Sequence, residues 1–231
     1  MIVLSPRLPY APAFQLVTEH GTIAGTHLPP VLAPIPEHAL AALHPEERAF
    51  AMTRRAYRQI QFVGGRLALG AVLRAIGHPI VAVLSDEHGA PALPAGLTGS
   101  VSHKRDLAVA IVAPGDHGLG IDIEDTHRPI RDIASHVLCA DEQQAIAGLD
   151  ESQRWLELII RFSIKESVYK ALHRFVLRAI DFREVAVWPD RQGGARVELR
   201  FDHAGQFRFR VRHIRFEQQL LSIVQAHPPK R

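Results

Sequence analysis

Residues 152–176, SQRWLELIIRFSIKESVYKALHRFV, keep apolar side chains at helical spacing for about six turns. Runs of strand character follow directly: FREVAVWP, ARVELRF, QFRFRVRHIRF and QQLLSIVQA, two of them alternating apolar residues with arginine as a wet-faced antiparallel sheet would. The same order occurs upstream. LHPEERAFAMTRRAYRQIQFVGGRLALGAVLRAIG reads as helix, with Pro45 at a first helical position, acids after it and Gly77 as a stop. Gly64 and Gly65 are expected to split or kink it. IVAVL (80–84), LAVAIVA (107–113) and LGIDI (119–123) read as strands separated by Gly-, Pro- and Asp-rich turns, and the first forty residues as an irregular Pro-rich start. A long helix followed by an antiparallel sheet, twice, is an α+β fold of two similar halves with pseudo-two-fold symmetry. The expected halves are 1–116 and 117–231, with a site at their junction. Asp141 with Gln144 resembles a capping box opening a further helix.

A chain of 231 residues buries about three quarters of its unfolded surface, so no disulfide or structural metal is needed for a core. Cys139 is the one cysteine and reads as a small buried hydrophobe. No window approaches the roughly 18 continuous apolar residues of a membrane span, and MIVLSPRLPYAPAF lacks a basic leader. A cytoplasmic protein without membrane contact is expected. The charge is +3 and the pI about 9.3, carried by twenty-three arginines against four lysines. That balance suits a phosphate-bearing ligand or an acidic partner, and equally nucleic acid.

Three stretches carry chemistry. In GIDIED, strand alternation sends Asp122 and Glu124 to one face while Ile121 and Ile123 point into the core. Two carboxylates so close repel unless a cation sits between them or one takes a proton; Mg²⁺ is the natural occupant, and an exposed strand face or strand end with solvated acids is the other reading. In FSIKESVYKAL, Glu166 and Lys170 share a helical face, and two of the four lysines, Lys165 and Lys170, fall together. A compact ammonium follows charge developing on one phosphate oxygen where a planar guanidinium holds two in fixed geometry. In GLTGSVSHKR, Ser102 and His103 sit where a Gly-rich turn enters a strand, a place suited to donating to phosphate. Adjacent strand residues face opposite ways, so the two are not a nucleophile and its base.

GSVSH, then GIDIE, then FSIKESVYK, in that order, resembles the signature of the 4′-phosphopantetheinyl transferases of the large two-fold type, exemplified by the surfactin- and enterobactin-synthetase activators. ERAFAMTRRAYRQIQFVGGRLALGAVL is similar to that family's arginine-bearing helix, and HGAPALPAGLTGSVSH to its Gly-x-Pro loop, so the resemblance covers about residues 45–175. It implies transfer of 4′-phosphopantetheine from coenzyme A to a serine of an acyl or peptidyl carrier protein, releasing adenosine 3′,5′-bisphosphate. By matching position, Asp122, Glu124 and Glu166 would hold Mg²⁺, Glu166 would take the serine proton, and Lys170 would stabilise charge at the attacked phosphate while contacting coenzyme A. Arg58, Arg66 and His103 would contact coenzyme A phosphates, Ser102 the pyrophosphate, and the backbone of His88, Gly89 and Ala90 the adenine. Phe162 stands where many members carry Trp, and His88 and Ala90 occupy a loop that often carries Lys or Arg. A monomer is expected, since one chain holds both halves.

Two other readings remain at this point. A metal-dependent phosphohydrolase would use the same acids on another ester. A nucleic-acid-binding module would use QFRFRVRHIRF, although Phe207, Phe209 and Val211 alternate with Arg208, Arg210 and Arg212, whereas a binding platform wants aromatics and cations on one exposed face.

Overall fold

The computed structural model describes residues 2–86, 89–127, 133–176, 178–201 and 207–229. The chain divides between Asp116 and His117 into two compact units. No helix among the described residues is long and apolar enough to cross a membrane.

The first unit runs β1 (Pro12–Thr18), β2 (Gly21–His27), α1 (Glu37–Ala41), α2 (Pro45–Thr53), α3 (Ala56–Ala75), β3 (Leu97–Lys104) and β4 (Leu107–Pro114). Its antiparallel sheet has the order β1-β2-β4-β3. α3 lies across it, packing Ala68, Leu69, Val72 and Leu73 against Ala24, Ala110 and Val112.

Three expectations for this unit are corrected. The Pro-rich start contains the hairpin β1-β2; two glycines and an alanine dilute the Thr and Ile of GTIAGTH, and pairing on both sides, with β1 and β4, decides it. Residues 80–84 are not a strand. β3 pairs with β4, and the Val83 N–H goes instead to the Glu47 carboxylate at 2.9 Å. Helix breakage falls at Arg54–Arg55, before Ala56 at φ 53°, and not at Gly64–Gly65. Gly64 serves contact: a Cβ there would stand 2.1 Å from Leu28 Cδ2 and 3.3 Å from Ala108 Cβ, so glycine lets α3 lie on the sheet uninterrupted. Pro45 does open α2, behind His44, with Glu47 completing a capping box.

The second unit runs β5 (Gly118–Asp125), α4 (Ala134–Val137), α5 (Ala140–Ile146), α6 (Glu151–Leu172), β6 (Val185–Pro189), β7 (Ala195–Leu199), β8 (Arg208–Phe216) and β9 (Gln219–His227). β5-β9-β8 form one antiparallel sheet and β6-β7 a second. Ile164, Val168 and Leu172 of α6 pack on Val185, Val187, Leu220 and Val224. Phe207, Phe209 and Val211 join that core while Arg208, Arg210 and Arg212 are exposed, so the aromatic and cationic faces of β8 are separate. The cap of α5 differs from expectation: Cys139 is its N-cap and Glu142, not Gln144, reaches back to it.

Candidate active site

β5 turns Gly118, Gly120, Asp122 and Glu124 toward α6. A Cβ on Gly118 or Gly120 would stand 1.9 Å from the carbonyl oxygen of Ala171 or Ser167, so their absent side chains let the helix backbone rest on the strand. Strand and helix run antiparallel, which brings Asp122 to Ser163. Ser163 Oγ donates to Asp122 Oδ2 at 2.9 Å, and Lys170 Nζ donates to Asp122 Oδ1 at 2.8 Å and to the Ile121 carbonyl at 3.0 Å. The acid face of β5 is therefore as covered as the apolar one: Asp122 is 4% and Glu124 7% exposed, beside Ile121 at 0% and Ile123 at 1%. Glu166 is half-buried on α6, three residues from Ser163 and four from Lys170, and so shares their face.

Asp122, Glu124 and Glu166 offer oxygen donors only, which suits a hard divalent ion. Among the described residues no group of three or more His, Cys, Asp or Glu stands close enough together to hold a metal. The three acids are therefore not gathered into a preformed protein cage, and an ion held here would take one or two of these carboxylates and complete its shell with water.

Lys165 points elsewhere. It is 1% exposed, and its ammonium donates to Glu142 Oε2 at 2.6 Å, the Val137 carbonyl at 2.7 Å and the Phe182 carbonyl at 3.1 Å. Glu142, wholly buried, also accepts from the backbone N–H of Cys139 and of Val187, each at 2.8 Å. Burial lowers the Lys165 pKa, with Glu142 opposing, and burial pushes the Cys139 thiol up. Phe162 packs its ring 5.5 Å from that of Phe182, an apolar role.

The first unit holds a cavity of about 360 Å³ lined by Arg54, Arg58, Arg66, His103, Ser85 and Gly89, among others. Arg66 is buried; its Nη2 donates to Ser85 Oγ at 3.0 Å, and its Nε is buried without a hydrogen-bond partner among the described residues. Desolvation lowers its pKa to about 10, with Glu47 holding it up. None of Arg54, Arg58 and Arg66 forms a salt bridge to a described carboxylate, whereas Arg48, Arg178 and Arg183 each do. The cavity is thus lined by three guanidinium groups and an exposed imidazole, a set of donors suited to phosphate.

Of the residues expected to meet coenzyme A, Arg58, Arg66, Gly89 and His103 come together here. Ser102 is buried on the other side of β3 and is not in the lining. Ala90 is paired within its own loop: its N–H donates to Asp86 Oδ1 and its carbonyl accepts from the Asp86 N–H, both at 2.9 Å. His88 lies outside the described residues. Arg54 and Ser85 were not singled out as ligand contacts. Arg54 carried a signal in its spacing from Arg58; Ser85 carried none, because only the folding of residues 80–86 brings it to Arg66.

The family model of the 4′-phosphopantetheinyl transferase superfamily matches residues 118–224, and that of the 4′-phosphopantetheinyl transferase N-terminal domain matches residues 46–113. The chain belongs to this superfamily. Within it, the chain is 33% identical over 163 residues to the 4′-phosphopantetheinyl transferase Svp of Streptomyces mobaraensis, covering 67% of this chain and 65% of that protein. It is 34% identical over 138 residues to enterobactin synthase component D of Salmonella typhimurium, covering 58% of this chain and 56% of the other. The matched stretch therefore spans a little over half to about two thirds of these relatives. Among solved structures, the holo-[acyl-carrier-protein] synthase of Thermotoga maritima aligns with a TM-score of 0.41 and 22% identity, covering 49% of this chain and 64% of that one. Both stretches of this 4′-phosphopantetheinyl transferase superfamily member hold a constellation described above, the acids in the first match and the arginines in the second.

Proposed function

We propose that this chain transfers the 4′-phosphopantetheine group of coenzyme A to a serine hydroxyl of an apo acyl or peptidyl carrier protein, releasing adenosine 3′,5′-bisphosphate. The observation that carries the reading is the cavity in which Arg54, Arg58, Arg66 and His103 converge with no carboxylate salt-bridged to the arginines among the described residues. Guanidinium groups so placed suit a ligand with several phosphoryl groups.

In the step itself, the serine Oγ forms a bond to the phosphorus that bears the pantetheine, and the P–O bond to adenosine 3′,5′-bisphosphate breaks. Glu166, half-buried beside Ser163, accepts the serine proton, directly or through water; general-base help of this kind is worth about 10² to 10⁴ in rate. Lys170 offers its ammonium to oxygen as charge develops, and Asp122, which pairs with it, holds the group in reach. Ser163 fixes the Asp122 carboxylate from the other side. Arg58, Arg66 and His103 bind and orient the phosphates. Asp122, Glu124 and Glu166 are the acids from which one or two carboxylates would hold Mg²⁺, which when bound would neutralise charge on the pyrophosphate. Phosphoryl transfer asks mainly for positioning and electrostatics, so no nucleophilic protein residue is required.

The nucleotide product separates this reading from a phosphohydrolase. Chromatography should find adenosine 3′,5′-bisphosphate when apo carrier, coenzyme A and Mg²⁺ are all present. Release at the same rate without carrier would make the chain a hydrolase.

A further inference from the structure

Around the junction of α2 and α3, rings and guanidinium groups alternate in a ladder. The Arg54 guanidinium lies 4.4 Å from the centroid of the Phe50 ring. Phe50 and Phe62 meet at 4.9 Å with planes 48° apart, and the Arg66 guanidinium lies 4.5 Å from the centroid of Phe62. Arg54, Phe62 and Arg66 line the cavity described above.

A ring face attracts a cation through its quadrupole and takes none of the cation's N–H donors. A carboxylate would hold the same guanidinium, but would use its fork and cancel its charge. The chain holds other arginines in that second way: Arg178 donates to both oxygens of Glu184 at 2.8 Å, and Arg183 to both oxygens of Asp181 at 3.0 and 3.2 Å. Arg54 and Arg66 have rings instead, and Arg66 keeps a buried Nε without a partner among the described residues.

We infer that Phe50 and Phe62 are positioning residues for coenzyme A: they fix Arg54 and Arg66 by their faces and, apart from the Arg66 Nη2 bond to Ser85, leave the guanidinium N–H groups to phosphate. The inference rests on the function proposed above and adds two residues to it.

Leucine keeps much of the apolar volume of phenylalanine and lacks the ring face, whereas tyrosine keeps both. The test is calorimetric titration of coenzyme A into the full chain without carrier, for wild type, Phe62→Leu, Phe62→Tyr and Phe50→Leu, each checked for folding by thermal unfolding. Phe62→Leu should weaken binding about tenfold and, in steady-state turnover with an apo carrier, raise the coenzyme A KM more than it lowers kcat. Phe62→Tyr should restore wild-type affinity. Phe50→Leu, whose ring faces one guanidinium of the ladder, that of Arg54, and reaches Arg66 only through Phe62, should give a smaller loss and covers the case in which Phe62→Leu does not fold. Wild-type affinity in the folded Leu variants, or equal losses in Phe62→Tyr and Phe62→Leu, overturns the inference and leaves the transferase reading standing. A wild-type chain that binds no coenzyme A overturns both.

Discussion

The two lysines of α6 do different work with the same chemical asset, a compact ammonium with three donors. Lys165 spends all three on Glu142, Val137 and Phe182, and so ties α6 to α4, α5 and the turn before β6. Lys165→Ala would leave Glu142 buried without its countercharge, and denaturant unfolding should show a loss of about 3 to 5 kcal/mol. Lys170 is partly exposed at the β5 surface, where Lys170→Arg should keep the fold while lowering kcat about tenfold or more. Unchanged kinetics there would remove the proposed role. The scarcity of lysine marked both residues and could not distinguish them, because the acceptors of Lys165 lie 17 to 28 positions away in sequence. His213 supplies a pH test. Burial lowers its pKa from the ordinary 6.5, with Asp190 and Glu157 opposing and Arg212 adding to the fall. The unfolded chain therefore takes up this proton first. Stability should be whole above about pH 6.5 and decline as the pH falls from there through the lower folded value, a decline that His213→Leu should flatten in urea melts at several pH values.

At the scale of elements, glycine decides how closely helix and sheet approach, and it does so differently in the two units. In the second unit the glycines are on the strand, and a Cβ at Gly120 would meet the Ser167 backbone oxygen at 1.9 Å. In the first they are on the helix, and a Cβ at Gly64 would meet the end of the Leu28 side chain at 2.1 Å. Backbone cannot step aside and a leucine methyl can. Gly120→Ala should thus cost about 3 kcal/mol or more and disturb Asp122 nearby, while Gly64→Ala should cost about 1 to 3 kcal/mol; paired thermal melts check the order. Hydrophobic period made α6, β4, β5 and β9 legible in sequence. The glycines at 64 and 65 misled, because a helix breaker and a close-contact residue look alike until the facing residue is known. The hairpin β1-β2 and the extended segment 80–84 were misread for a related reason: each is settled by a partner distant in sequence, β4 for the hairpin and Glu47 for the segment.

Across the whole molecule, a long helix and an antiparallel sheet in each unit were readable from periodicity, although β1 and β2 precede α3 and β5 precedes α6, and the ordered motifs were enough to indicate the family. The cavity was legible through Arg58, Arg66 and His103 but not through Ser85, Phe50 or Phe62, whose parts depend on packing rather than pattern. The acids were legible as a pair on one face, yet their burial under α6 and the Lys170–Asp122 contact required the helix to be in place. Group transfer is read most directly from the mass of the acceptor. Incubation of the chain with coenzyme A, Mg²⁺ and a panel of apo carrier proteins, read by intact mass, should add about 340 Da to the carrier at its serine, and chelation of the metal should abolish the gain. Carriers that keep their mass while the chain is folded and coenzyme A is bound would contradict the proposed transfer.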